Sequence, residues 1–500
     1  MKSPTNELDP RARGRLIAHG VFWNSAFQFF IAGVNFISML VLVRVLVPME
    51  YGRAAVATGV LAVLNCFNCG CFIAHAIQLG DREQPDWNLH WRAGLRIQLA
   101  LTAACNLVAA GAWFVAEYRP IAPLLHLASL GLLVDAPNQL SLTMLRREMD
   151  YKRMRLVTSV GVIITAVTSV GLGLKGFGAA AMILGSNVLH GLPLGFHLLF
   201  VRRWRPTGGW WAEPDWKNYR AALRFGGQLS GTAVLTALRG LLESVVLPRT
   251  IGYDAIGLLN RAQVLFATTF GRLNGLIVDT VYPLLPRSAH DPVQFARHAT
   301  LVVQAMLLVS IPGAVFVLFE GPALSRLLYG AKWIAADLLI APGTVMAWGI
   351  AAALLFGSIL LAANRLKFTF AVSVTAACLS LPAMLVALLH GGTLSYSWAL
   401  AAGQCFAVVV GMTLCARLLE RGWVWRTVLP PVVAAGIGGG ALFGLGQLAL
   451  DFPLSLRLAI NGVCYALVVL VVFRVGFAGP LRMVVARLPG GERLNRWLKL

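Results

Sequence analysis

Along the chain, apolar runs of about 20 residues alternate with short polar connections, and a run of that length spans the roughly 30 Å hydrocarbon layer as a helix. The runs fall near 20–43, 54–79, 94–116, 121–144, 156–174, 177–201, 225–247, 256–284, 298–319, 338–362, 368–389, 396–416, 428–449 and 457–477. The pattern predicts an all-α, polytopic membrane protein of about 14 transmembrane helices. The first run is too long for the core of a cleaved leader and lacks a small-residue cleavage site, so it reads as a retained helix. The longest polar connection, about 202–224, follows the sixth run.

A short pattern recurs. Arg44, Leu46, Glu50 and Gly52 follow the first span, and Arg249, Ile251, Asp254 and Gly257 follow the seventh. An even number of helices lies between the copies, so both fall on the same side of the membrane. That is a parallel repeat: two six-helix lobes related by an axis along the membrane normal, an architecture of transporters with the substrate path between the halves. The expected organisation is an N-terminal lobe over 1–201, a cytoplasmic linker over 202–224 and a C-terminal lobe over 225–420. Two further helices occupy 421–478, and a basic amphipathic tail occupies 479–500.

Composition removes whole classes of function. Charged residues make up 13% of the chain, hydrophobic ones 58%, and the mean hydropathy is +0.73. A soluble chain carries about 25% charged residues, so a water-soluble enzyme is excluded. The net charge of +21 does not signal nucleic-acid binding, because Lys and Arg are segregated. The N-terminal side of the predicted membrane holds 31 of them, the opposite side 8, and 3 lie inside spans. This split places both termini in the cytoplasm.

Charges inside hydrocarbon are costly unless paired or facing water, and so they carry the most information. Arg261, Arg272 and Asp279 lie on one face of span 8, since 261 to 279 is a whole number of turns, with a rise of about 27 Å. Arg239 and Glu243 are four apart on one face of span 7, and Glu243 lies at a depth from which it can pair with Arg261. One reading is a wet, basic cavity in which Arg239, Arg261 and Arg272 contact phosphate with their donor forks. The other is a set of salt bridges that lock spans 7 and 8. Span 1 offers Asn24, Gln28 and Asn35 on one face, suited either to sugar hydroxyls or to helix–helix packing. Asp135, in span 4, is a lone acid beside Pro137 and a candidate proton or cation site, as are Glu243 and Asp279.

Other features read as structural. Cys66, Cys69 and Cys71 lie in an apolar helical run without a second ligand pair, so no metal site is expected. The mixture of Arg with Trp204, Trp210, Trp211 and Trp216 in the linker is an interfacial belt rather than a nucleic-acid surface. No phosphate-binding glycine loop, metalloprotease motif or serine elbow occurs, and no catalytic residue is assigned. The outer connection 320–337 has acids only at its edges, Glu320 and Asp337, which disfavours a membrane-embedded glycosyltransferase or polymerase.

Four stretches carry a resemblance: 41–52 with Arg44, Pro48, Glu50 and Gly52; 146–153 with its basic residues; 257–262 with Asn260, Arg261 and Ala262; and 326–333 with Tyr329, Gly330 and Trp333. In order and spacing they resemble the polysaccharide transporters of the multidrug/oligosaccharidyl-lipid/polysaccharide superfamily, the Wzx-type flippases. The resemblance implies a V-shaped pair of six-helix lobes with two extra C-terminal helices. It implies a lipid-linked oligosaccharide substrate, typically on undecaprenyl diphosphate, moved across the bacterial inner membrane for O-antigen, exopolysaccharide or capsule synthesis. No covalent chemistry and no cofactor are implied beyond possible H+ or Na+ coupling, and the partners implied are membrane lipids and polysaccharide polymerase or export machinery. Arg261 falls on the family's arginine and Glu243 where the family usually has Asp, while Leu259 replaces its tyrosine. A multidrug exporter of the same superfamily is the main alternative, disfavoured because span 1 has no acid.

Overall fold

The structure is a computed structural model that describes residues 10–79, 83–148, 150–271, 285, 288, 290–390, 392–447 and 452–485. The described residues are helices joined by turns and short connections, and eleven stretches are long and apolar enough to cross a membrane. Large apolar side chains face outward along them, among them Phe29, Ile37, Leu107, Val167, Leu354 and Val475. Surfaces of that kind are stable only against lipid or another apolar partner. The protein is an all-helical, multi-pass membrane protein.

The expected spans near 225–247, 256–284 and 368–389 are not among the eleven. The first is a continuous helix carrying Arg224, Arg239, Glu243 and Arg249. The second runs into residues outside the description, and the third is broken at Leu379 into two shorter helices.

The chain divides into two compact units, Met1–Asp254 and Ala255–Leu500. In the first, α1 (Pro10–Val45) packs on α7 (Tyr151–Leu174), with Leu42 against Gly173. The second membrane stretch is interrupted: α2 (Pro48–Asn65) gives way to the short helices α3 (Cys69–Ile73) and α4 (His75–Gln78). Then come α5 (Trp87–Trp113), started by the Asp86 side chain on two backbone N–H groups, and α6 (Ala122–Arg147), which packs along it. The sixth stretch is α8 (Ala179–Ile183) and α9 (Leu192–Phe196), with wider π-type turns at Leu184–Leu189 and His197–Val201. Finally α10 (Arg220–Thr250) lies against α2, α3 and α4.

The sequence repeat is a pair of helix corners. Arg44 and Arg249 stand in the last turns of α1 and α10, and Glu50 and Asp254 stand in the first turns of α2 and α11 (Gly252–Phe266). Each charge sits where the helix dipole favours it. Gly52 of the first corner meets Tyr253 of the second so closely that a Cβ would stand 1.9 Å from the Tyr253 carbonyl oxygen. Gly59, two turns on, accepts Ser244 of α10 in the same way, giving a small-residue seam along α2.

In the second unit the long helix α12 (Pro292–Tyr329) is the centre, begun by the Asp291 cap. On one side it meets α13 (Asp337–Ala362), which packs in turn on α14 (Leu366–Cys378) and α16 (Thr393–Cys415). Val303, Met306, Phe356, Leu360 and Trp423, the last in α17 (Trp423–Thr427), form that core, while α15 (Ser380–His390) lies along α16. On the other side α12 meets α18 (Leu429–Gln447) and α19 (Leu454–Gly476) through Leu308, Ala434, Tyr465 and Phe473. The last described element is α20 (Ala478–Val485), and the expected tail beyond 485 lies outside the described residues.

Gly52→Ala is expected to cost ~1–3 kcal/mol by overpacking, seen as a lower unfolding temperature of the detergent-solubilised protein. Gly33→Ala, at a position where a Cβ meets nothing within 4 Å, serves as the control. Equal melting of the two variants would mean that the seam is not tight.

Candidate functional site

On α10, Arg239 Nε donates to Glu243 Oε1 at 2.9 Å, and both side chains are half-buried. The i,i+4 spacing makes this pair within one helix, so the carboxylate the sequence offered to Arg261 is engaged by Arg239. Arg261, on α11, is buried, and its Nε and Nη2 donate to the Asn260 amide oxygen at 3.2 and 2.7 Å. Its helix is held close by Gly343 of α13, where a Cβ would lie 3.0 Å from the Ala262 backbone. Arg272 and Asp279 lie outside the described residues.

On α1, Gln28 and Asn35 are exposed, and the Asn24 side chain lies outside the description. The linker from Arg202 to Tyr219 is folded onto α5. Trp91 Nε1 donates to the Trp210 carbonyl at 3.1 Å, Arg92 to that of Thr207 at 2.6 Å and Arg96 to that of Trp211 at 3.0 Å. Arg205 lies over the Trp210 ring and Trp211 is exposed.

Asp135 is answered by amides. Its Oδ2 accepts from Asn68, at the break between α2 and α3, and from Gln139 at 3.2 Å; its Oδ1 faces Gln139 at 3.4 Å and Asn138 at 3.5 Å. Asn68 also caps α3 by accepting from the Gly70 N–H at 2.8 Å, and Asn138 accepts from the Gly195 N–H of α9 at 3.0 Å. Gln98 of α5 donates to the Cys69 sulfur at 3.2 Å beside them. The three predicted packing cysteines line this broken turn: Cys66 donates to the Ala62 carbonyl and Cys71 to that of Cys66. Asn68 and Asn138 were missed in the sequence. The available signal was polar residues in apolar runs (Asn68 among the cysteines, Asn138 and Gln139 after Pro137), where an unanswered polar group is costly.

A buried acid, Glu320, corrects the sequence reading. Glu320 was expected at the edge of an outer connection, but α12 continues to Tyr329 and Glu320 is buried within it. Its Oε1 accepts from Asn461 of α19 at 2.7 Å, and Tyr465, one turn on, donates to the Pro312 carbonyl at 2.7 Å. Helix propagation through Pro322 is tolerated because neighbouring helices surround the freed backbone groups. Asp337, at the other edge of that connection, bonds Arg326 at 2.7 Å.

A family described as polysaccharide biosynthesis protein matches residues 41–337, and the chain belongs to this family. Over 459 residues it is 21% identical to the lipopolysaccharide biosynthesis protein WzxC of Escherichia coli strain K12, covering 90% of this chain and 87% of that one. It is 25% identical over 283 residues to the amylovoran biosynthesis protein AmsL of Erwinia amylovora, 54% of this chain and 68% of that one. The fold is similar to that of the lipid II flippase MurJ in its inward closed conformation, with a TM-score of 0.72 at 13% identity over 90% of this chain and 98% of that one. An inward-facing multidrug resistance transporter of the MATE family is also similar, at a TM-score of 0.57 and 14% identity over 83% of this chain and 96% of that one.

Asn461→Ala is expected to leave Glu320 buried without this donor, at about 1–3 kcal/mol, and Asn461→Asp to cost more by setting two acids together. Thermal unfolding of the purified variants measures both; an unchanged Asn461→Ala would show that the bond adds nothing to stability.

Proposed function

From that family membership we propose that the chain is a flippase: a transporter, not an enzyme, that carries a polyprenyl-diphosphate-linked oligosaccharide across the bacterial inner membrane. The substrate is a repeat unit for O-antigen, exopolysaccharide or capsule, on an undecaprenyl-type lipid, and both termini face the cytoplasm. The observation that carries the reading is the family match over residues 41–337 in a chain whose fold is similar to a lipid flippase over 90% of its length.

Physical chemistry supplies the mechanism. A diphosphate sugar head cannot cross hydrocarbon unaided, because it would lose its water. Arg239, Arg261 and Arg272 are the proposed phosphate contacts, and Gln28 and Asn35, with Asn24, the proposed sugar contacts. The half-buried Arg239–Glu243 pair suits a site that must be neutral when empty, since an anion can take the guanidinium from its carboxylate. The polyprenyl tail stays in lipid while the binding surface is offered first to one side and then to the other. Protons or sodium at Asp135, Glu243 or Asp279 supply the coupling, and a polysaccharide polymerase or export machinery takes the product. The fold likeness to a multidrug transporter supports cation export as a second reading, which the absence of any acid from span 1 disfavours.

Deletion of the gene is expected to make a lipid-linked oligosaccharide accumulate on the cytoplasmic face, detected by mass analysis of inner-membrane vesicles. Failure to accumulate one would remove the flippase reading. Arg272→Ala is expected to lower export about 10–100-fold, the loss of charged hydrogen bonds of ~1.5–3 kcal/mol, with normal protein in the membrane. Normal surface polysaccharide would take Arg272 out of the site. In a double-mutant cycle, Glu243→Gln and Arg239→Gln together are expected to lose less than the two singles added, and strict additivity would reject their coupling.

A further inference from the structure

Asp135 sits where three membrane stretches are locally irregular. The second is broken at Cys66–Asn68, the fourth carries Pro137 inside its helix, and the sixth winds through π-type turns on both sides of α9. Hydrogen bonds reach from this carboxylate, through two asparagines, to all three. The orientation of those asparagines decides which ion the site accepts. Asn68 spends its oxygen on the Gly70 N–H, and Asn138 spends its oxygen on the Gly195 N–H. Backbone N–H groups can only donate, so both amides are locked with their NH2 groups toward Asp135.

A sodium ion needs several oxygen ligands, and this setting offers it the Asp135 oxygens behind a screen of N–H donors. A proton needs one carboxylate oxygen and one acceptor beyond it. Gln139 can supply the acceptor: its amide nitrogen bridges both carboxylate oxygens, and its own oxygen sits over Gly70 with no donor among the described residues. Its amide is the one of the three whose oxygen no described N–H holds in place.

We propose that Asp135 is a proton-binding site that excludes sodium, with Gln139 as its switch. The proton adds to Oδ1, whose donors stand at 3.4 and 3.5 Å, while Oδ2 keeps Asn68. The Gln139 amide turns by half a revolution, and its oxygen accepts the new O–H. Asp135 is half-buried rather than sealed. The titratable group that faces it is the Cys69 thiol of α3. On the other elements packed against α6, titratable groups are engaged elsewhere: Glu50 with Arg53, His75 beside Phe225, His90 with Tyr219, Cys105 with the Leu125 carbonyl, Arg153 with Asp150, and His190 and His197 with Thr165 and Ser141. This deepens the coupling left open under the flippase reading and rests on that reading only for what the proton drives.

The test needs no substrate, so its failure and that of the flippase reading are separable. Infrared difference spectra of the purified full-length protein are recorded between about pH 8 and about pH 5. The wild type should gain the C=O band of a neutral carboxylic acid on acidification, equally in sodium and potassium salts, and Asp135→Asn should lack that band. Asn68→Leu removes a donor to the anion and should make proton binding about tenfold tighter, moving the midpoint up by about one pH unit. This second variant decides the matter if Asp135→Asn does not fold. A wild-type band that Asp135→Asn retains, a midpoint that Asn68→Leu leaves in place, or a band that sodium suppresses would each overturn the proposal.

Discussion

Hydrocarbon offers no hydrogen bonds, so a polar group placed in it must find its partner within the protein. That requirement organises the interior of both units. Glu243 has Arg239 four residues away, Arg261 has the amide beside it, Glu320 has Asn461 from a helix far along the chain, and Asp135 has three amides. The answer is local where helical spacing allows it and otherwise fixes which helices must be neighbours. Glu320 and Asn461 show the second case: with the Tyr465–Pro312 bond, their hydrogen bond ties a late helix to the centre of its unit.

Close packing does the rest. With lipid on the outside there is little hydrophobic gain from bringing apolar helices together, and approach depends on small residues. Gly59 lets α10 settle against α2, and Gly52 lets the start of α11 do so. The two corners that repeat in sequence therefore touch in space, and the charges that mark them do so for one electrostatic reason, a basic residue at the end of a helix and an acidic one at the start of the next.

The gross fold was legible because its signal is long: apolar runs of membrane length tolerate errors of a few residues at either end. Family likeness was legible because four short patterns kept their order, and all four lie within the matched residues 41–337. Side-chain partnerships were less so. A face-and-depth argument gave Glu243 two candidate arginines, and helical spacing could not choose between them. Asp135 was singled out as an acid, but Asn68 lies 67 residues earlier and only the break in α2 brings it there. Glu320 was misplaced because a proline and a charge near the end of an apolar run imitate a loop; Asn461, which makes that position habitable, lies 141 residues later.

The linker's attachment to α5 bears on how the chain can be assembled. Arg92, Arg96 and Trp91 hold the backbone of 207–211 from the first unit, and α10 beyond it is seated on the same unit through α2. Continuity of the peptide near Glu213 is therefore not what keeps α10 in its seat. A molecule made as two separate fragments divided there would still have a docking surface for the second fragment's leading helix, and the halves could be synthesised apart and meet in the bilayer.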